Sequence, residues 1–290
     1  MVHYSQEHTK VSTLSGKDFS RLSQLIQNQC GIKMPPSKKT MLETRVLKRM
    51  RNLGIMSFEN YCDYVLSLEG MENELLHLLD VVTTNKTDFF REPEHFNYLV
   101  KKALPELIVT HGSGIRKKLM VWSAGCSSGE EPYTLAMVLN EFVQRYPSLK
   151  YDYSILATDI STVVLEKGKR AVYEAEKADS VPMELKKKYF MKSKDKSKEL
   201  IRIAPELRGR VKFRRLNFLQ EDFGLREKMD IIFCRNVIIY FDKTTQAELL
   251  HRFYQHLIPG GYIFMGHSET LNALNVPFVM IESTVYRKPL

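Results

Sequence analysis

Between Ser15 and Val82 apolar residues recur at helical spacing. Phe19, Leu22, Leu25 and Ile26 fall on one face of a helix that Ser15 can cap, with Asp18 three residues on, and that Gly31 can end. In the next segment Leu42, Val46, Met50 and Leu53 share one arc, while Lys38, Arg45, Lys48 and Arg49 fill the arc beside it. Ser37 is the expected cap of this basic-edged helix and Gly54 its stop. Ser57 opens a third helix through Phe58, Tyr61, Val65 and Leu68; Gly70 is read as its break, and Leu75, Leu76, Leu79 and Val82 continue as a fourth. A small all-α domain is predicted over residues 1–85.

After Val82 the pattern changes to short apolar runs alternating with helices. Leu119–Ser123, Tyr153–Ala157 (ending at Asp159), Asp230–Cys234 and Tyr262–Met265 read as strands; Pro132–Phe142, Thr162–Lys167 and Thr244–Ile258 read as helices, the last stopped by Pro259-Gly260-Gly261. Val276–Arg287 reads as a final extended pair. Such alternation predicts an α/β fold: a doubly wound, mostly parallel sheet with helices on both faces, over residues 86–290. The alternation lapses between Ala171 and Asn217, where a lysine-rich helix (Pro182–Tyr189) precedes two β-prone runs, Glu199–Ala204 and Arg210–Leu216. These predict an inserted small antiparallel β-flap at about residues 172–216.

Composition narrows the setting without naming a chemistry. At 290 residues, 43% hydrophobic and 27% charged, the chain is long enough for one large domain or two small ones. No apolar run approaches the ~20 residues of a membrane span, and Met1–Lys10 lacks the apolar core of a secretory signal. Cys30, Cys62, Cys126 and Cys234 are too sparse for a disulfide framework, so a cytoplasmic protein is expected. His251 and His256 are five apart, off one helix face, and no metal site is predicted.

The most informative segment is Leu119–Thr134, LMVWSAGCSSGEEPYT. A strand runs into Gly125 and Gly129 and a helix starts after Pro132, an arrangement that lets backbone amides approach a ligand at the helix N-terminus. A phosphate-binding loop would need Lys-Ser or Lys-Thr after the last glycine; Glu130 and Glu131 stand there instead and would repel phosphates. The two acids favour a cationic group, such as the ammonium or sulfonium of S-adenosylmethionine. Gly125-Cys126-Ser127-Ser128-Gly129 formally matches a nucleophile elbow, but it follows the first strand of the sheet rather than several strands. Asp159, ending the second strand, can accept both ribose hydroxyls of an adenosine, and Asn217-Phe218 offers an amide for a base edge beside an aromatic wall. Cys126, close to a helix N-terminus, is expected to be sensitive to alkylation without being catalytic.

Five blocks in order, Thr83-Thr84-Asn85-Lys86-Thr87-Asp88-Phe89-Phe90-Arg91-Glu92, WSAGCSSGEEPYT, Ala157-Thr158-Asp159-Ile160, Ile232–Asp242 and Gly266-His267-Ser268-Glu269, resemble the chemotaxis receptor methyltransferases, the CheR family. The resemblance spans nearly the whole chain. It implies an enzyme that moves a methyl group from S-adenosylmethionine to glutamate side chains of methyl-accepting chemotaxis receptors, leaving S-adenosylhomocysteine. It implies cofactor contacts from Asn85, Thr87, Arg91, Glu131, Asp159, Asn217, Phe218, Arg235 and Asn236, and places Arg91 and Tyr240 at the transfer centre. Leucine is common in the family where Phe218 stands. Some members dock a receptor C-terminal peptide on the β-flap; the loop here, Lys192–Glu199, has no glycine, whereas members using that tether often carry glycines. A nucleic-acid methyltransferase is the competing enzyme class, but an Asn/Asp-Pro-Pro-Tyr-type loop is replaced by Arg235–Tyr240. A catalytically silent cofactor-sensing module is the third reading, opposed by intact Arg91, Asp159 and Tyr240.

The formal net charge of +9 is concentrated. Residues 33–51 hold seven basic side chains against Glu43, and residues 186–215 hold thirteen against Asp195, Glu199 and Glu206, so the rest of the chain carries −7. An anionic helical receptor suits such patches, with Lys38, Arg45, Lys48 and Arg49 as the expected docking residues. The expected protein is a monomer with no nucleic-acid partner and no membrane insertion.

Overall fold

The computed structural model describes residues 13–148, 150–195, 197–271 and 274–290. Met1–Lys10, read above for a signal, and Lys196 of the flap loop lie outside them. The chain forms two compact units, Met1–Thr83 and Thr84–Leu290.

The first unit is helical. Helix α1 (Gly16–Cys30) is capped as its sequence predicts: Ser15 Oγ accepts the Asp18 N–H at 3.0 Å and donates to the Asp18 carboxylate at 2.7 Å. Helix α2 (Lys39–Leu53) departs from expectation at its start. Pro35-Pro36 favours a 3-10 turn over Pro36–Lys38, so Ser37 lies inside that turn and caps nothing. Ser57 does cap α3 (Phe58–Leu66) through the Asn60 N–H. Gly70 is not a break. It lies within α4 (Leu68–Asn73), capped by Ser67, and a Cβ there would fall 1.9 Å from the Tyr64 carbonyl oxygen. The glycine is a contact point between successive helices, which lets α4 turn back against the end of α3. Helix α5 (Leu75–Val82) completes the unit. Its core is Leu22, Ile26, Leu42, Val46, Phe58, Tyr61, Val65 and Leu78, all buried.

The second unit begins with a helical run absent from the predicted elements: α6 (Pro93–Tyr98), one π-helical turn (Leu99–Ala103) and α7 (Leu104–His111). There follow β1 (Leu119–Ala124), α8 (Glu130–Gln144), β2 (Tyr153–Asp159) and α9 (Thr162–Arg170). After β3 (Val172–Glu174) come α10 (Met183–Tyr189), β4 (Phe190–Lys192), β5 (Leu200–Ile203), α11 (Pro205–Arg208), β6 (Val211–Arg215) and β7 (Met229–Cys234). The chain ends with α12 (Lys243–His256), β8 (Leu257–Met265), β9 (Val279–Glu282) and β10 (Val285–Arg287). The main sheet has seven strands in the order β6-β2-β1-β7-β8-β10-β9, with β6, β2, β1, β7 and β8 parallel and the last pair antiparallel. Strands β1 and β7 are almost wholly buried, as a sheet covered on both faces requires.

Two boundaries differ from expectation. The antiparallel flap is β3-β5-β4 alone, whereas Val211–Arg215 pairs in parallel with Ile155–Asp159 and forms an edge of the main sheet. Pro259-Gly260-Gly261 does not stop a helix. The helix ends at His256, and these residues sit inside β8 as a bulge, since Met229 pairs with Leu257 but Ile231 with Tyr262. Among the described residues no helix is long and apolar enough to cross a membrane.

Candidate active site

Parallel pairing brings the C-terminal ends of β1, β2, β6, β7 and β8 to one edge of the sheet. The chain winds outward from β1 to β2 and β6 on one side and to β7 and β8 on the other, so the crevice between β1 and β7 is the switch point where such sheets bind ligands. The loop after β1 is stitched to β2. Gly125 and Cys126 donate their N–H groups to the Thr158 carbonyl at 2.8 and 2.9 Å, and Ser127 donates its N–H to Asp159 Oδ2 at 2.9 Å. Gly125 has φ 81, and a Cβ on it would lie 2.4 Å from Val237 Cγ2, so only glycine lets the loops after β1 and β7 close on one another. Ser127 Oγ reaches the Asn85 carbonyl at 3.0 Å, tying in the loop that precedes α6.

Asp159 therefore accepts two backbone N–H groups, from Ser127 and, on Oδ1 at 3.0 Å, from Ser161. These bonds fix the orientation of the carboxylate at the crevice. The cap of α9 is Ser161, whose Oγ accepts the Val164 N–H.

Glu131 and Arg235 form a buried ion pair. Arg235 Nε donates to Glu131 Oε2 at 2.7 Å, while Ser123 Oγ donates to Glu131 Oε1 at 2.6 Å. The other arm of Arg235 donates to the Arg91 carbonyl at 2.6 Å, lies 3.4 Å from His95 Nδ1, and stacks over Phe96 and Phe233. Burial first, then the charge of Arg235 and of His267, pushes the His95 imidazole down to about 3. Its other nitrogen meets Thr284 Oγ1 at 2.8 Å. The first turn of α8 is thus not an open pair of negative charges. Glu131 is neutralised by Arg235, and Glu130, bonded by Ser128 Oγ at 2.7 Å, has its pKa raised by burial. Glu92, His95 and His267 bring three ligating atoms within 4.8 Å of one another, but the guanidinium beside them already supplies the positive charge a metal would bring.

The remaining predicted residues lie on three segments. Asn85, Thr87 and Arg91 lie on one loop; Arg91 is half-buried and donates to the Lys86 carbonyl, and its own carbonyl is the one held by Arg235. Asn236, at φ 58, and Tyr240, on a 3-10 turn (Ile238–Tyr240), follow β7. Asn236 Oδ1 is buried without a hydrogen-bond partner, an acceptor at the crevice with nothing of the protein to satisfy it. Asn217 follows β6 and accepts the Leu219 N–H. Phe218 does not present an aromatic wall. Its ring is buried among Trp122, Phe223 and Phe253, and its carbonyl is taken by Arg252.

Lys38, Arg45, Lys48 and Arg49 lie in the first unit. Arg45 donates to the carbonyls of Val82 and Thr83, and Arg49 makes a two-pronged pair with buried Glu74 at 2.9 and 2.6 Å, shared with the Tyr61 hydroxyl. Both hold helices together. Lys48 is exposed and Lys38 half-buried. Two site residues carry no role in the sequence analysis: Glu269, although it lies in one of the five blocks, and Gln246. The signal for the first was an acid four residues beyond a buried strand.

Comparison with known proteins bears on the whole chain. The family model described as "CheR methyltransferase, all-alpha domain" matches residues 17–83, and "CheR methyltransferase, SAM binding domain" matches residues 85–287. A chemotaxis protein methyltransferase of Borreliella burgdorferi is 36% identical over 264 residues, covering 91% of this chain and 92% of that protein. Those of Escherichia coli and Salmonella typhimurium are each 36% identical, over 96% of this chain and 93% and 92% of their own lengths.

Proposed function

The chain belongs to the CheR methyltransferase family, and we propose that the group it methylates is the side-chain carboxylate of glutamates in methyl-accepting chemotaxis receptors, on the cytoplasmic side of the membrane. It is a methyltransferase that uses S-adenosylmethionine and acts in chemotaxis. The residues at the crevice fit that cofactor. Asp159 offers a preoriented carboxylate for ribose, and the unpartnered Asn236 Oδ1 is an acceptor for an ammonium group. When bound, the cofactor supplies a methyl group activated by a sulfonium and leaves as the thioether S-adenosylhomocysteine.

The observation that favours a carboxylate acceptor is the match to chemotaxis protein methyltransferases over more than nine-tenths of the chain. A hydroxyl or amine acceptor needs a base to take its proton, and His95, buried between Arg235 and Thr284, is not presented to the crevice as one. A glutamate, with an ordinary pKa near ~4.3, is already ionised and needs none. What remains for the protein is placement and exclusion of water. In this reading Arg91 holds the target carboxylate or that of the cofactor, and Tyr240 orients the attacking oxygen through its hydroxyl. Arg235 supports Arg91 by fixing its backbone to Glu131. Held in line by Arg91 and Tyr240, the glutamate oxygen would accept the methyl group that the cofactor supplies, giving a glutamate methyl ester, with the bonding pair of the methyl–sulfur bond left on sulfur.

The test is incubation with methyl-labelled cofactor and either receptor cytoplasmic fragments or RNA. Base-labile label on receptor glutamates is expected; stable label on RNA, or none on either, overturns the proposal.

A further inference from the structure

We infer that Glu269 and Gln246 are positioning residues that together clamp the Asn236–Tyr240 segment in its working conformation. Glu269 is buried, 3% exposed, and its carboxylate accepts four backbone N–H groups. Oε2 takes those of Gly266 at 2.7 Å and Asn236 at 2.8 Å; Oε1 takes those of Val237 at 2.8 Å and Ile238 at 2.9 Å. Three successive amides converging on one anion form a nest, and the nest requires the left-handed φ of 58 seen at Asn236. For asparagine that conformation is tolerated but not preferred, so the carboxylate selects it. Gln246, on α12 and also buried, holds the opposite end. Its amide nitrogen donates to the carbonyls of Ile238 at 2.8 Å and Phe241 at 3.1 Å, which bracket Tyr240.

The division of labour follows from the chemistry. An anion takes the donors that start the segment, and an amide N–H2 supplies the acceptors that end it. Neither side chain can do the other's task. Between the two lie the buried acceptor of Asn236 and the hydroxyl of Tyr240, and Val237 is pressed against the place where Gly125 lacks a Cβ. The clamp therefore sets the distance between the loops after β1 and β7, and neither Glu269 nor Gln246 needs to touch a substrate to do so.

The inference rests on the methyltransferase reading, and its test uses binding of S-adenosylhomocysteine by calorimetry, which does not depend on the acceptor. Glu269→Gln keeps the volume but turns an N–H2 toward backbone N–H groups. Gln246→Met keeps the volume and removes both donors. Glu269→Gln is expected to weaken S-adenosylhomocysteine binding about tenfold or more, because Asn236 is released. Gln246→Met is expected to leave that affinity within about twofold and to lower kcat by about 10²-fold, because a displacement of ~1 Å at Tyr240 suffices. Circular dichroism and thermal melts check that both variants fold. Near-normal binding and turnover in folded Glu269→Gln would sink the clamp, as would loss of fold in both variants, which would assign the two side chains to stability alone. If wild-type enzyme binds S-adenosylhomocysteine but methylates no receptor, the acceptor proposal fails while the clamp is still judged by the binding data.

Discussion

Cys126 stands at the start of a helix, a position that by itself favours a thiolate, yet its burial among Asp159, Glu131 and Glu130 pushes the thiol well above its ordinary value. Desolvation outweighs the helix terminus here, so the expectation of an alkylation-sensitive thiol is reversed. Native protein should resist iodoacetamide at Cys126 until it is unfolded, read by mass spectrometry of the labelled peptide, and Cys126→Ala should keep methylation within about twofold. His95 illustrates the same physics with a consequence for pH. Its folded pKa of about 3 lies below the unfolded value of about 6.5, so the unfolded chain binds the extra proton. The stability contributed by neutral His95 is complete above about pH 6.5 and is lost progressively as pH falls toward 3. Urea unfolding at pH 7.5 and pH 5 should show the wild type losing about 2 kcal/mol more than His95→Gln over that interval; equal losses would place His95 outside the linkage. At Arg91 the expectation concerns turnover. Its guanidinium is half-buried and donates to the Lys86 carbonyl, so Arg91→Ala should fold normally and lose about 10²-fold or more in kcat. Near-normal methylation would remove Arg91 from the transfer centre.

Among elements, the turn from α3 into α4 shows how a glycine can be read for the wrong reason. Gly70 was legible as a special position but not as the place where one helix passes within touching distance of another's carbonyl. Gly70→Ala should cost the helical unit about 1–3 kcal/mol, because the clashing atom is backbone and cannot rotate away; an unchanged melting temperature would contradict that packing. What the sequence made readable is local. The caps at Ser15 and Ser57 and the apolar stripe of α1 depend on residues within one or two turns, and they are found where the spacing predicts them. Partners distant in sequence were not readable. The run Arg210–Leu216 carries no mark of whether it joins the flap or the main sheet, which is settled by pairing with β2 some 55 residues earlier. The same holds at the site: Glu131 was visible as an acid at a helix start, but its neutralisation comes from Arg235, 104 residues away. Phe218 was visible as an aromatic after a strand, but its burial depends on Trp122 and Phe253. Chemistry carried by contiguous motifs is therefore legible in the sequence, whereas the contacts that tune it come from residues far apart in the chain.

At the scale of the molecule, the two basic stretches are less alike than their charge counts suggest. In residues 186–215 many cations are already answered: Lys188 by Glu141, Arg210 by Asp152, Lys186 by Asp179 and Lys198 by Asp195, while Lys212, Arg214 and Arg215 belong to an edge strand of the main sheet rather than to the flap. Charge on an edge strand protects it from pairing with other chains, which needs no receptor to explain it. In the helical unit, Arg45 and Arg49 are committed to backbone carbonyls and to Glu74. Reversing Arg49 would set two carboxylates together in a buried site and unfold the unit, so that substitution cannot test docking. Lys48 and Arg51, one turn apart and both exposed, can be reversed without that penalty. If α2 steers an anionic receptor, Lys48→Glu with Arg51→Glu should lower receptor methylation about tenfold at low ionic strength and leave S-adenosylhomocysteine affinity unchanged. The difference from wild type should shrink as salt is raised toward ~1 M, where the Debye length falls to about 3 Å. A variant that methylates receptors like wild type at low salt would remove α2 from docking, and a deficit that persists at high salt would mean that the contact is made by shape rather than by charge.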